Sequence, residues 1–195
     1  KLLVGLLIPD KGVLIHENKD IFQNKGNLQS WQKKISYFPQ DIFLNDDDIL
    51  TNIAYGIEKE SINMNEVIRT TKLSEIHEFI YSLPLKYSNK IGEKGFKLSG
   101  GQRQRIGISR GLYKKPKVLV FDESLNSLDS KIEIKIINNI MNNFKKETIF
   151  LISHRLSTLK NFDRIIVFNK GFIEDIGNYN DLKRRNKIFI SLLNS

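Results

Sequence analysis

The run Val118-Leu119-Val120-Phe121 is apolar without a break and ends on two acids, Asp122 and Glu123. An apolar run with no polar alternation fits a strand covered on both faces, as in parallel sheets. Further short β-type runs stand at 13–15 and at Ile35–Phe38, the latter stopped by Pro39. Thr148–Ile152 reads as a second buried strand, and 164–168 with 172–175 as a hairpin around Asn169-Lys170-Gly171. Between them the spacing is helical. Leu2, Leu3, Leu6 and Leu7 mark an opening helix that the turn Pro9-Asp10-Lys11-Gly12 ends. Residues 48–113 read as helical throughout, with Ile49, Ile53 and Ile57, then Met64, Val67 and Ile68, then Ile76, Phe79 and Ile80 on single faces. Leu83-Pro84 closes that series, and 130–144 is another helix. Strands alternating with helices argue for an α/β domain with a largely parallel sheet, and the all-helical middle for an insertion in it.

The chain has 195 residues, enough for one domain or a domain with a subdomain. It contains no cysteine, which removes disulfides, thiolate metal sites and cysteine nucleophiles. No apolar run approaches the roughly 20 residues a membrane helix needs. The formal charge of +9 invites a nucleic-acid reading. The lysines are scattered, however, and no basic stretch carries interleaved aromatics, so no nucleic-acid partner is expected. Contact with anionic lipid headgroups is the alternative use of that charge.

Four short stretches carry chemistry. Asp122 and Glu123 follow a buried strand, and ligands of doubly wound sheets bind at the carboxyl ends of strands. An Asp there can hold hydrated Mg²⁺ and a Glu can orient or deprotonate water, although an acidic pair also serves to cap a helix. In Leu98-Ser99-Gly100-Gly101-Gln102, Ser99 is a good N-cap for a helix running to about Tyr113. The paired glycines leave backbone N–H groups open to a phosphate at the helix N-terminus, or simply form a loop that feeds a helix. His154, closing the 148–152 strand, can bond a γ-phosphate or a lytic water, or be a satisfied structural histidine. Gln40, just past a strand, offers a carbonyl to a metal and an amide to water. His16 and His77 have no comparable context and read as surface residues.

Together, in this order, the four resemble the nucleotide-binding domain of ABC transporters from Lys1 almost to Ser195. Leu98 to Gln102 matches the family's signature letter for letter, and Val118 to Glu123 its Walker B strand. Asn126-Ser127-Leu128-Asp129 looks like the D-loop, Gln40 like the Q-loop glutamine and His154 like the switch histidine. Ser36-Tyr37-Phe38-Pro39-Gln40-Asp41, Gly92-Glu93-Lys94-Gly95 and Ser153-His154-Arg155-Leu156-Ser157-Thr158 resemble exporter-type domains. The resemblance implies a P-loop NTPase-like (RecA-like) α/β core over 1–47 and 114–195, with an inserted helical subdomain over 48–113. It implies ATP and Mg²⁺ as cofactors. Asp122 and Gln40 are expected at the metal, Glu123, His154 and Gln40 at catalysis, and Ser99, Gly100, Gly101, Gln102 and Asp129 at the nucleotide. The implied partners are a second nucleotide-binding domain, docked head to tail, and the exporter's transmembrane domains. The latter would be met through the helical subdomain and the Glu93 region, at the cytoplasmic face of a membrane.

Two departures qualify the match. The D-loop has Leu125-Asn126 where Thr-Ser is common. The family's Gly-Lys-Ser/Thr loop is not among these residues, and the opening helical pattern lacks a capping residue. The chain is therefore expected to be a piece of a longer protein whose phosphate loop precedes Lys1. Chromosome-maintenance and DNA-repair ATPases share the signature, but they place a long coiled coil where this chain has a compact stretch without sustained heptads. A third reading is an inert partner that offers Ser99–Gln102 in trans.

Overall fold

The computed structural model describes residues 1–92 and 97–193. They form two compact units, 1–150 and 151 onward.

The first unit is organised by a sheet. Strand β1 (Ile15–His16) turns through Glu17 and Asn18, both at positive φ, into antiparallel β2 (Lys19–Asp20). Asn24 then caps helix α1 (Lys25–Lys34), which leads into β3 (Ile35–Phe38). Strand β4 (Val118–Asp122) pairs with β3 in parallel, Ile35 opposite Val118 and Phe38 opposite Phe121. Strand β5 (Thr148–Ile152) completes the order β3-β4-β5, its Thr148 N–H donating to Lys117 O at 3.0 Å. Alternation along β4 serves two layers. Val118 and Val120 pack with Val4, Ile21 and Trp31. Phe121, on the opposite face, stacks on Phe38 with ring centroids 4.3 Å apart.

Between β3 and β4 the described chain carries helices joined by loops, with an isolated antiparallel bridge between Asp48 and Lys90, so residues 48–113 are not helical throughout. Helix α2 (Ile49–Ile53) is capped by Asp48, α3 (Met64–Leu73) by Asn63, and α4 (His77–Ser82) follows. Helix α5 (Gly100–Tyr113) returns the chain to β4. Leu44, Ile49, Ile53, Val67, Ile76, Ile80, Ile91 and Ile106 make one core of this stretch. After β4, Asp129 caps α6 (Ser130–Asn143). Among the described residues, no helix is long and apolar enough to cross a membrane.

The second unit has its own core of Leu156, Leu159, Ile165, Val167, Leu182 and Phe189. It holds the hairpin of β6 (Ile165–Asn169) and β7 (Phe172–Gly177), followed by α7 (Tyr179–Arg185) and α8 (Lys187–Leu193). Lys170 and Gly171, with φ of 48° and 84°, make its two-residue turn, a geometry that suits the twist of a hairpin.

Several expectations are corrected. Residues 2–7 form turns, not a helix: Gly5 takes φ +71°, and a Cβ there would meet Leu28 Cδ1 at 2.5 Å. The 13–15 strand shifts to Ile15–His16. Helix α2 stops at Ile53, and Gly56 at φ +83° leaves Ile57 exposed beyond it. Strand β5 is not buried on both faces; it stands at the end of the strand order and its residues alternate exposed with half-buried. His77 is half-buried, its Nδ1 2.7 Å from the Tyr87 hydroxyl, and His16 packs its ring against Trp31 at 4.8 Å.

Candidate functional site

Parallel pairing of β3 with β4 brings the carboxyl ends of both strands to one place. A pocket of about 340 Å³ opens there, lined by Lys1, Tyr37, Pro39, Gln40, Asp41, Asp122 and Glu123. Three of the expected site residues, Gln40, Asp122 and Glu123, thus share one wall.

Asp122 is the last residue of β4 and is half-buried. The Tyr37 hydroxyl donates to its Oδ2 at 2.7 Å. Burial first, and the bond to Asp122 second, push the Tyr37 phenol up to about 12. Oδ1 of Asp122 has no hydrogen-bond partner among the described residues. The oxygens of Asp122 and Gln40 are hard donors, and the pocket has room for a cation that keeps several of its waters, so the site fits Mg²⁺.

Glu123 begins the turn out of β4 at φ +53°, a conformation that costs a non-glycine residue about 1 kcal/mol or more. The loop that follows holds it: Asn126 N–H donates to Glu123 O at 3.2 Å, and the Asn126 side-chain amide to Glu123 Oε2 at 3.3 Å. Such strain concentrates where a side chain must be aimed.

Ser99, Gly100, Gly101 and Gln102 form the start of α5, as the cap signal predicted. Gln102 N–H donates to Ser99 Oγ at 3.2 Å, while Ser99 N–H donates to Gln102 Oε1 at 2.8 Å, a complete capping box. A Cβ on Gly101 would stand 3.3 Å from Leu128 Cδ2 and 3.5 Å from Ser127 O. The first turn of α5 therefore lies against the loop that leaves Glu123. Asp129 ends that loop, its Oδ1 accepting from the N–H groups of Lys131 and Ile132. His154 belongs to the second unit, just past β5. Glu93, Lys94 and Gly95 lie outside the described residues.

Three residues of this region have contacts that the sequence does not reveal. Tyr37 gives a signal only in hindsight: in β3 it points away from the face of Ser36 and Phe38 and pairs with Val120, two residues before Asp122 and on the same face of the sheet. Gln104, 3% exposed, donates to Pro39 O at 3.3 Å, and a glutamine at a core position of a helix is a cue in itself. Asn126 is legible as part of the Asn126–Asp129 loop, but its bond to the Glu123 side chain is not.

The fold is P-loop NTPase-like, and the comparisons make it specific. The family model described as ABC transporter matches residues 1–126. The chain belongs to the ABC transporter family. It is 39% identical over 194 residues to the leukotoxin translocation ATP-binding protein LktB of a Pasteurella haemolytica-like species, covering 99% of this chain and 27% of that one. It is 34% identical over 196 residues to human ATP-binding cassette sub-family B member 5, covering 100% of this chain and 15% of that one. The solved structure of a bacterial Atm1-family ABC exporter with ATP bound superposes with a TM-score of 0.91 at 34% identity, over 99% of this chain and 33% of that chain. The chain thus spans about a third or less of the length of these relatives.

Proposed function

We propose that this chain is the ATP-binding and hydrolysing domain of an ABC exporter, acting as one of two such domains beneath transmembrane partners. The observation that carries the reading is the meeting of Gln40, Asp122 and Glu123 on one pocket at the ends of two parallel strands. The exporter class rests on relatives named for translocation and export.

Each residue then has a task. Asp122 and Gln40 hold the metal by oxygen, and Tyr37 fixes the Asp122 carboxylate by its hydroxyl. The chemistry that a bound Mg²⁺ supplies is neutralisation of charge on the phosphate oxygens. Glu123 orients the attacking water and accepts its proton, with Asn126 bracing the carboxylate. His154, by its place in the motif order, orients the same water and the γ-phosphate. Ser99–Gln102 offers the N–H groups of Gly100 and Gly101 and its helix N-terminus to the nucleotide held by the opposite domain, with Asp129 beside that seam. Such a contact exists only while the γ-phosphate is present. Nucleotide binding therefore favours the closed pair of domains, and hydrolysis releases it. Residues 1–47 and 114–195 are the ATPase core and 48–113 the helical subdomain. That subdomain, with the Glu93 region, faces the transmembrane part on the cytoplasmic side of a membrane.

The decisive experiment is Glu123→Gln in the full-length protein. It removes the proton acceptor and keeps the shape, so turnover is lost while Mg-ATP binding stays near wild type. Wild-type hydrolysis in that variant would end the assignment of Glu123. A second test uses the 195 residues alone, which contain no Gly-Lys-Ser/Thr sequence. That loop supplies much of the grip on the β- and γ-phosphates, so calorimetry on the isolated chain is expected to find weak Mg-ATP binding. Micromolar affinity would refute this.

A further inference from the structure

The side chain of Gln40 makes no hydrogen bond among the described residues and is exposed, so its position depends on the loop backbone that carries it. That backbone is held by one helix. Positions 104, 107 and 111 of α5 lie one above another on a single face, at helical spacing. Gln104 Nε2 donates to Pro39 O at 3.3 Å, just before Gln40. At Gly107 a Cβ would meet Ile42 Cγ2 at 2.6 Å, so glycine lets the loop lie flat on the helix. Gly111 faces the Phe38 ring, and its carbonyl accepts from Ser36 Oγ at 2.9 Å.

The other side of the loop is held by Arg110. Its Nη1 donates to Phe43 O at 2.8 Å, its Nε to Asn52 O at 2.7 Å and its Nη2 to Asn52 Oδ1 at 2.7 Å. Asn52 is wholly buried and ties the loop again, accepting from Asn45 N–H at 2.9 Å and donating to the carbonyls of Asn45 and Asp48 at 3.1 and 3.0 Å. Backbone carbonyls on both sides of Gln40 thus end on side chains of α5. A buried carbonyl left without a donor is costly, which accounts for a buried glutamine where an aliphatic residue would pack as well.

We propose that Gln104 and Arg110 are positioning residues for Gln40, fixing its loop to the helix whose first turn is Ser99–Gln102. The inference rests on the reading of Gln40 as a metal-side residue.

The test uses the full-length protein and two readouts. Gln104→Leu keeps the bulk and removes the donor. Hydrogen exchange of the 40–44 amides should rise about tenfold while that of α3 stays unchanged. The Mg²⁺ concentration for half-maximal ATP hydrolysis should rise about tenfold, the usual scale for losing a group that orients a ligand. In a Gln40→Ala background, Gln104→Leu should add nothing to the Mg²⁺ dependence, because it acts through Gln40. Unchanged loop exchange, or an undiminished Mg²⁺ shift on top of Gln40→Ala, would overturn the proposal. If Gln104→Leu does not fold, Arg110→Lys, which keeps the charge but loses the fork, is measured in the same way with the same outcomes. Wild-type protein lacking Mg²⁺-dependent hydrolysis would instead defeat the functional reading and leave the exchange result to decide the loop.

Discussion

The pocket at the ends of β3 and β4 and the first turn of α5 are built by opposite means. In the first turn the bonds run between neighbours: Ser99 and Gln102, three residues apart, satisfy each other's polar groups. In the pocket the bond that fixes Asp122 comes from Tyr37, 85 residues away. Local chemistry assembles the first turn wherever the helix forms. The pocket exists only once β3 and β4 have paired in register. Substitutions should therefore act on the first turn as helix-end effects, and on the pocket as effects of chemistry or of sheet packing.

The largest expected difference is in activity. Asp122→Asn in the full-length protein should lower Mg-ATP hydrolysis by about 100-fold or more, since it removes the one charge in reach of the metal that the pocket supplies from β4. Phosphate release under single-turnover conditions measures it. A loss no greater than that from Ser99→Ala would erase the contrast between the two regions.

Next comes stability. Phe38 and Phe121 stack within 7° of parallel, and the free edge of the Phe38 ring lies where a Cβ on Gly111 would stand. Gly111→Ala forces that seam open and should cost about 1–3 kcal/mol in urea denaturation, the scale of an overpacked core. At Gly100 the nearest atom to an added Cβ is Arg103 Nη2 at 4.0 Å. Gly100→Ala should therefore leave the denaturation midpoint unchanged or raise it. The same chemical change, at two glycines of one helix, would separate a packing requirement from a capping one.

The contrast also explains what could be read in advance. The bounds of β3, β5 and α5, the position of β4 to within one residue, the Ser99 cap and the Asn169-Lys170-Gly171 turn are all set by short-range spacing or turn chemistry. Helix α1 escaped because it buries only Trp31 and shows no apolar face. The opening leucines had helical spacing, but Leu2, Leu6 and Leu7 are exposed and Gly5 adopts a left-handed backbone, so periodicity pointed the wrong way. An apolar run fixes β5 as a strand but not its place in the order, and Phe150 remains 39% exposed at the end of the sheet. In the site, Asp122, Glu123 and Gln40 were legible because strand ends were. Tyr37 and Gln104 were not, because their partners are set by tertiary pairing alone.

A smaller effect sharpens the local side of the comparison. Ser99→Ala deletes the acceptor for Gln102 N–H and should cost about 1 kcal/mol, the usual worth of an N-cap. Thermal denaturation reads the change, and Ser99→Asp, which restores an acceptor, should recover most of it. No recovery would mean that the first turn is held by its neighbours, Ser127 and Leu128, rather than by its own cap.

The last effect belongs to Tyr37 and shows only at high pH. Its phenol ionises at about 12 in the fold, against roughly 10 when free, because burial and the bond to Asp122 both disfavour the phenolate. Between those values the unfolded chain has released the proton and the folded one has kept it. The folded state binds more protons there, so stability falls as pH rises through that window and is unaffected below it. Tyr37→Phe loses the hydrogen bond at every pH but carries no proton to release. Urea midpoints of the two proteins should therefore differ most near pH 9 and converge toward pH 12. Parallel curves would mean that the pocket leaves the Tyr37 phenol in its ordinary range, and that Asp122 is fixed by the strand end rather than by its distant partner.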